Sequence, residues 1–302
     1  MSNSDSTGLF EPQTVKLIDG RKLTYFDNGV NSAAALIMHH GTPGLGDLWG
    51  TWLDAALAKG VRAVSFSRAG YPGSDGAPGR NVSETGLDFE QLLSRLGITE
   101  FVSIGWSGGG PFALRSTFSQ GSKGADLLAG VAPYEEMGAD WFIGLNESDT
   151  PESIGKLTES FESALESSIE EIDGIEEVWT EELFTKGVES RSNYSDFVGL
   201  YAIFNKIAAK SLVSAVRPDI TGYAEDNHMI FRPWGFSVSQ VTLPVSIWNG
   251  ALDKAVSPNM AKWQHEQIKG STIHILEDQN HFTPMVENMA EILDSAIAKL
   301  VS

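Results

Sequence analysis

The chain has no cysteine among its 302 residues. Disulfides, thiolate metal sites and a cysteine nucleophile are therefore excluded. Positive charge is scarce: 21 Lys and Arg stand against 40 Asp and Glu, a formal net charge of −19. Such a chain repels nucleic acid and anionic membrane at long range and attracts cationic groups, so nucleic acid is not an expected partner. Long apolar runs are also missing. A membrane-spanning helix needs about 20 consecutive apolar residues, and Lys, Arg, Asp or Glu interrupt every apolar stretch. The opening MSNSDSTGLFEPQ has neither the basic start nor the apolar run of a secretory signal. Internal repeats and low-complexity tracts are absent. These absences together predict a cytoplasmic location.

What is present is a hydrophobic content of 41%, enough for one large domain or a core domain with an insertion. The first dozen residues read as a loose arm. VKLIDG and KLTYFDNG follow as short β-prone segments joined at Asp19-Gly20, a hairpin signal. AAALIMHH, from Ala33 to His40, is apolar enough for a buried strand. Asp47 stands where a helix cap would start LWGTWLDAALAKG, and Gly60 where it would stop. VRAVSFS, FVSIGW, ADLLAGVAP, LPVSIWNG and STIHILED read as further strands. Helices are expected between them over Ser83–Leu96, Gly108–Gln120 and Pro258–Ile268, and at the end over Glu287–Leu300. Strands alternating with helices predict an α/β fold, a mostly parallel sheet of about eight strands flanked by helices.

That rhythm breaks between Tyr134 and Gly235, where helical periodicity prevails and no strand is evident. The stretch holds 21 of the 40 acidic and 7 of the 21 basic residues, so −14 of the total −19 falls there. The shift predicts an acidic helical insertion over residues 134–235 in a core built from residues 1–133 and 236–302.

The chemistry centres on GWSGGG, Gly105 to Gly110, directly after the apolar FVSI. A phosphate-binding P-loop would need Lys and then Ser or Thr after its last glycine; Pro111-Phe112 stand there. Gly108-x-Gly110-x-x-Ala113 matches the loose dinucleotide pattern, but the acid that should end the next strand, Asp126, is at its start. A third use is to present a nucleophile. Ser107 lies just past one strand, Asp253 just past VSIWNG, and His281 just past STIHILEDQN. In an open α/β sheet, ligands bind outside the carboxyl ends of the strands, so all three belong on one edge.

These residues, in the order serine, acid, histidine, give the sequence its resemblance to the α/β-hydrolase superfamily. Gly105-Trp106-Ser107-Gly108-Gly109 matches the G-x-S-x-G nucleophile elbow. The HGTPG, WNGALD and NHF segments resemble the capped esterase and prolyl-aminopeptidase-like branch, in which the insertion would be the cap, or lid. The resemblance implies that His281 takes the proton of Ser107 and that Asp253 fixes the imidazole tautomer. Gly105 and Gly109 would make room for the elbow. The tetrahedral intermediate's oxygen would be held by the backbone N–H groups of Gly108 and Thr42, since Pro43 has none. Trp106 and His40 are candidate substrate-binding residues, with packing and bracing of the oxyanion loop as their other roles. Asn280 replaces the glycine that the family often has before this histidine, and its tolerance of left-handed geometry would keep the turn. Asp278 is the rival acid but lies too near His281 in sequence. Arg68 is expected to tie down its loop. His39, His228, His265 and His274 show no metal-binding spacing, so neither metal nor cofactor is expected. In the insertion Trp141, Phe142, Phe197, Tyr201 and Phe204 are expected chiefly to pack helices, a minority reaching the pocket.

The expected function is a cofactor-independent serine hydrolase acting on a carboxylic ester or related small acyl substrate. Two alternatives stay open: a prolyl-type N-terminal aminopeptidase on the same three residues, and a noncatalytic ligand receptor on the same fold.

Overall fold

Two apolar faces on each central strand require cover on both sides of a sheet, and the chain provides it. The computed structural model describes residues 9–217 and 219–302; the expected N-terminal arm lies, through residue 8, outside them. The strands are β1 (Gln13–Lys16), β2 (Lys22–Asp27), β3 (Ala34–His39), β4 (Arg62–Phe66), β5 (Glu100–Trp106), β6 (Ser122–Leu128), β7 (Val245–Gly250) and β8 (Thr272–Leu276). They form one eight-stranded sheet in the order β1-β2-β4-β3-β5-β6-β7-β8. The β1–β2 and β2–β4 pairs are antiparallel, and every pair from β4 to β8 is parallel. The expected hairpin is β1–β2, with Gly20 at φ 93° in its turn.

Flanking helices are α1 (Gly50–Ala58), α2 (Val82–Leu96) and α3 (Gly110–Ser116). Between β6 and β7 the described residues form only helices and connecting turns: α4 (Tyr134–Met137), α5 (Pro151–Glu159), α6 (Phe161–Glu171), α7 (Ile175–Val178), α8 (Glu181–Lys186), α9 (Tyr194–Val216) and α10 (Thr221–Ile230). The core then resumes with α11 (Pro258–Gln267), α12 (Pro284–Glu287) and α13 (Met289–Leu300). On β3, Leu36 and Met38 join Trp52, Val102, Ile292 and Leu293 on one face, while Ala35 and Ile37 join Val64, Phe89 and Leu92 on the other. That two-sided burial is why β3 reads as an unbroken apolar run.

The register aligns the carboxyl ends. His39 pairs with Gly105, Trp106 with Leu128, Leu128 with Trp248, and Gly250 with Leu276. The loops after β3, β5, β7 and β8 therefore leave from one edge.

Two local expectations are corrected. Asp47 does not cap a helix: it lies inside a 3-10 turn, Gly46–Trp49, whose N-cap is Leu45. Its carboxylate instead accepts a 2.6 Å hydrogen bond from Ser211 of α9. The helix expected to reach Gln120 stops at Ser116. The hydroxyls of Ser116 and Thr117 bond back to the carbonyls of Ala113 and Leu114, at 2.7 Å each, which favours a turn over further helix.

Candidate active site

Ser107 sits at the sharp turn from β5 into the 3-10 turn Ser107–Gly109 that precedes α3. Its φ is 55°, left-handed geometry that is rare outside glycine. The neighbours must be small. A Cβ on Gly109 would lie 2.2 Å from the His39 carbonyl oxygen, and one on Gly105 would lie 2.5 Å from the Gly109 carbonyl oxygen.

His281 and Asp253 meet this serine as the strand ends suggest. The Asp253 carboxylate accepts from His281 Nδ1 at 2.7 Å, and His281 Nε2 lies 3.0 Å from Ser107 Oγ. Asp253 is buried, and its other oxygen accepts the N–H groups of Ala255 and Val256 at 2.9 Å each. With Asp253 as the acceptor, the Nδ1 proton faces the carboxylate and Nε2 is the ring nitrogen left to accept a hydrogen bond from the Ser107 hydroxyl. Asp278, the rival acid, is exposed, and its backbone carbonyl accepts from Arg191.

The histidine loop is held differently from the expectation. Left-handed geometry occurs at Asp278, φ 58°, and not at Asn280. Asn280 instead accepts the N–H groups of Phe282 and Thr283 at 3.0 and 3.1 Å, and its own N–H donates to Thr283 Oγ1 at 3.0 Å. Glycine has no side chain for this turn. Trp106 is buried, packs its ring 5.1 Å from that of His281, and donates Nε1–H to the His281 carbonyl at 3.1 Å. It also lines the cavity over Ser107, so packing and wall coincide in one residue.

His40 does not reach that cavity. It is fully buried. Its Nε2 accepts the Arg68 N–H at 3.1 Å, so Nδ1 carries the proton and donates to the Gly41 carbonyl at 2.7 Å. Burial, with the Arg68 charge beside it, holds its pKa well below the ordinary histidine value. His40 is thus a neutral brace, and the substrate-contact expectation is corrected. Thr42 and Gly108 do face the cavity together with Ser107 and His281. A Cβ on Gly108 would lie 2.4 Å from Thr42 Oγ1, so the Thr42 side chain packs directly against the Gly108 backbone.

The cavity has a volume of about 770 Å³. Its roof comes from the α4–α10 segment: Ile154, Leu157, Trp179, Tyr223, Ile230 and Phe231 are apolar or aromatic, and Asp149, Glu152, Glu170 and Glu171 are acidic. None of the five aromatic residues expected to supply a pocket minority lines it; Trp141, Tyr201 and Phe204 are buried between helices. Among the described residues no group of three or more His, Asp or Glu is arranged to hold a metal ion.

Two residues that sequence reasoning missed join the segment to the core. Asp226 of α10 reaches Arg68, Tyr71 and Thr42. Glu287 of α12 accepts from Arg191, Asn193 and Tyr201, all from the segment, at 2.5–2.8 Å.

The sequence matches the model of the alpha/beta hydrolase family over residues 36–295. The chain belongs to the alpha/beta hydrolase family. Solved structures share its fold at low identity. An esterase from Exiguobacterium antarcticum has a TM-score of 0.68 at 16% identity, covering 97% of this chain and 100% of that one. A thermophilic esterase from Thermogutta terrifontis matches at 0.68 and 18%, with 97% and 100% covered. A bromoperoxidase from Bacillus anthracis matches at 0.67 and 18%, with the same coverage. Among the described residues of this hydrolase-family chain, no helix is long and apolar enough to cross a membrane.

Proposed function

We propose that this member of the family is a serine hydrolase acting on a carboxylic ester through an acyl-enzyme. The observation that carries the reading is the continuous relay Asp253–His281–Ser107, with hydrogen-bond distances of 2.7 and 3.0 Å, opening on the cavity. Ser107 Oγ adds to the ester carbonyl carbon while its proton passes to His281 Nε2. The carbonyl π electrons move to oxygen, and the N–H groups of Gly108 and Thr42 hold the resulting oxyanion. Collapse of this adduct breaks the bond to the alcohol oxygen, which takes the proton from Nε2 and leaves. Water then adds to the acyl-serine, giving its proton to Nε2, and the second collapse releases the acid and returns the proton to Ser107. Asp253 steadies the imidazolium in both halves.

In this reading residues 1–133 and 236–302 form the catalytic core and residues 134–235 a cap. Two of the structural relatives carry the name esterase, which favours an ester over an amide substrate. A second reading, an aminopeptidase for N-terminal proline, is favoured by one observation. Asp149 and Glu171 face the cavity, and burial pushes both carboxyls above their ordinary range; a substrate ammonium would reverse that cost. Turnover of p-nitrophenyl esters against prolyl p-nitroanilides separates the two, and turnover of neither with tight ligand binding would favour a receptor. A fluorophosphonate probe is expected to label the wild type and not Ser107→Ala. Equal labelling of both proteins would overturn the proposal.

A further inference from the structure

The Gly41–Thr42 peptide is pinned from the side opposite the cavity. Its carbonyl oxygen, on Gly41, accepts Arg68 Nη2–H at 2.9 Å and His40 Nδ1–H at 2.7 Å. A trans peptide is planar, so its N–H points opposite to its C=O. Fixing the Gly41 oxygen therefore fixes the direction of the Thr42 N–H.

The guanidinium that does this donates from all three of its nitrogens. Arg68 Nη1–H also donates to the His40 carbonyl at 2.6 Å, and Nη2–H to Thr42 Oγ1 at 3.1 Å. Its cationic carbon lies 4.4 Å from the centre of the Phe112 ring, on the helix that follows the nucleophile. The opposing charge is Asp226, which arrives from α10. Its carboxylate accepts Arg68 Nε–H at 3.0 and 3.2 Å, Arg68 Nη2–H, Tyr71 Oη–H at 2.7 Å and Thr42 Oγ1–H at 2.9 Å. Side-chain exposures of 6% for Arg68 and 2% for Asp226 place the pair out of solvent. A buried guanidinium without this partner would pay an uncompensated desolvation cost and turn toward other acceptors.

We propose that Arg68 and Asp226 are positioning residues for the reaction: the ion pair, delivered partly by the α4–α10 segment, aims and polarises the Thr42 N–H toward the oxyanion. A charged donor on the Gly41 carbonyl draws electron density through the peptide and makes its N–H a stronger donor. The oxyanion site is then completed by a residue of the segment that touches no substrate. This inference rests on the serine-hydrolase reading above.

The test uses the full chain and p-nitrophenyl acetate. Losing one oxyanion donor costs about 10²–10³ in rate, so misaiming one is expected to lower kcat about 10–100-fold in Asp226→Asn. KM is expected to stay within about threefold, because a ground-state carbonyl uses the donor weakly. Inhibition by a trifluoromethyl ketone, whose adduct with Ser107 carries the same oxyanion, weakens by the factor lost in kcat/KM, while acetate inhibition is unmoved. If Asp226→Asn does not fold, Tyr71→Phe removes one donor that holds the carboxylate and is expected to show the same kcat-only pattern at about 3–10-fold. A folded variant with unchanged kcat, or with its loss in KM alone, overturns the inference. A wild type not labelled at Ser107 by fluorophosphonate defeats the hydrolase reading and the inference with it. A labelled wild type with an unimpaired Asp226→Asn defeats the inference alone.

Discussion

Glu225 precedes the Asp226 anchor and carries the opposite lesson. Burial, with the Asp226 charge second, pushes its carboxyl up to about 7. Between its ordinary value of 4.5 and about 7, the folded chain holds a proton that the unfolded chain has released. Stability from this site is therefore lost as pH rises through that window and is gone above it. Glu225→Gln keeps the shape without the charge. Its melting temperature is expected to match the wild type near pH 4.5 and to exceed it at pH 8; a constant difference across that range would contradict the assignment. The two neighbours also differ from Ser107 in legibility. Ser107, Asp253 and His281 each follow a strand closely, and strands show themselves by local apolar pattern. Asp226 is read by nothing local. Arg68 lies 158 positions away, and α10 is buried from Gly222 to Asn227, so no polar face marks its contacts. Asn280 shows the other failure. Its backbone tolerance was the available argument, whereas its side chain caps the turn.

Among the elements, α9 and the loop before it are fastened to the core through Glu287, six residues after the histidine. Arg191, Asn193 and Tyr201 converge on this carboxylate, whose side chain is 3% exposed. By contrast α8 has no buried residue. The segment therefore has firm parts, α9 and α10, and a loose part around α8, because local opening follows the number of buried contacts an element must break. Hydrogen bonds to a charged group contribute about 1.5–3 kcal/mol. Glu287→Ala is thus expected to speed amide hydrogen exchange across residues 191–201 at least about tenfold, with β5 unaffected. Exchange unchanged in that stretch would show that Glu287 does not hold it. Sequence periodicity located these helices as a group. It left their fastening unread, since Glu287 lies beyond the segment and its partners are spread over a loop and a helix.

Across the whole molecule the charge is uneven: −14 of the −19 lies in residues 134–235. Asp149, Glu152, Glu170 and Glu171 place part of that charge on the cavity wall, with Lys156 the cation among the residues lining it. A field of one sign over an active-site cleft raises the local concentration of oppositely charged ligands, and salt weakens it. Matched p-nitrophenyl esters bearing a quaternary ammonium or a carboxylate are expected to differ in kcat/KM in favour of the cation. The ratio is expected to shrink between about 0.01 and 0.5 M salt, over which the screening length falls severalfold. A ratio indifferent to salt would place the preference, if any, in short-range contacts. This surplus was legible from composition; its placement over Ser107 required the fold.

The α4–α10 segment is also a crossover. It connects β6 to β7, which pair directly in parallel from Ala125↔Val245 to Leu128↔Trp248. Such a pair needs only a dozen or so connecting residues, so the length of this connection is free of the sheet's demands. The segment is in that sense an exchangeable module, and the part of the cavity lining it supplies can change without moving the strand ends. The exchange has fixed terms. A replacement must keep donors for Glu287, and one lacking a carboxylate at the place of Asp226 would strand the Arg68 charge against the Gly41–Thr42 loop.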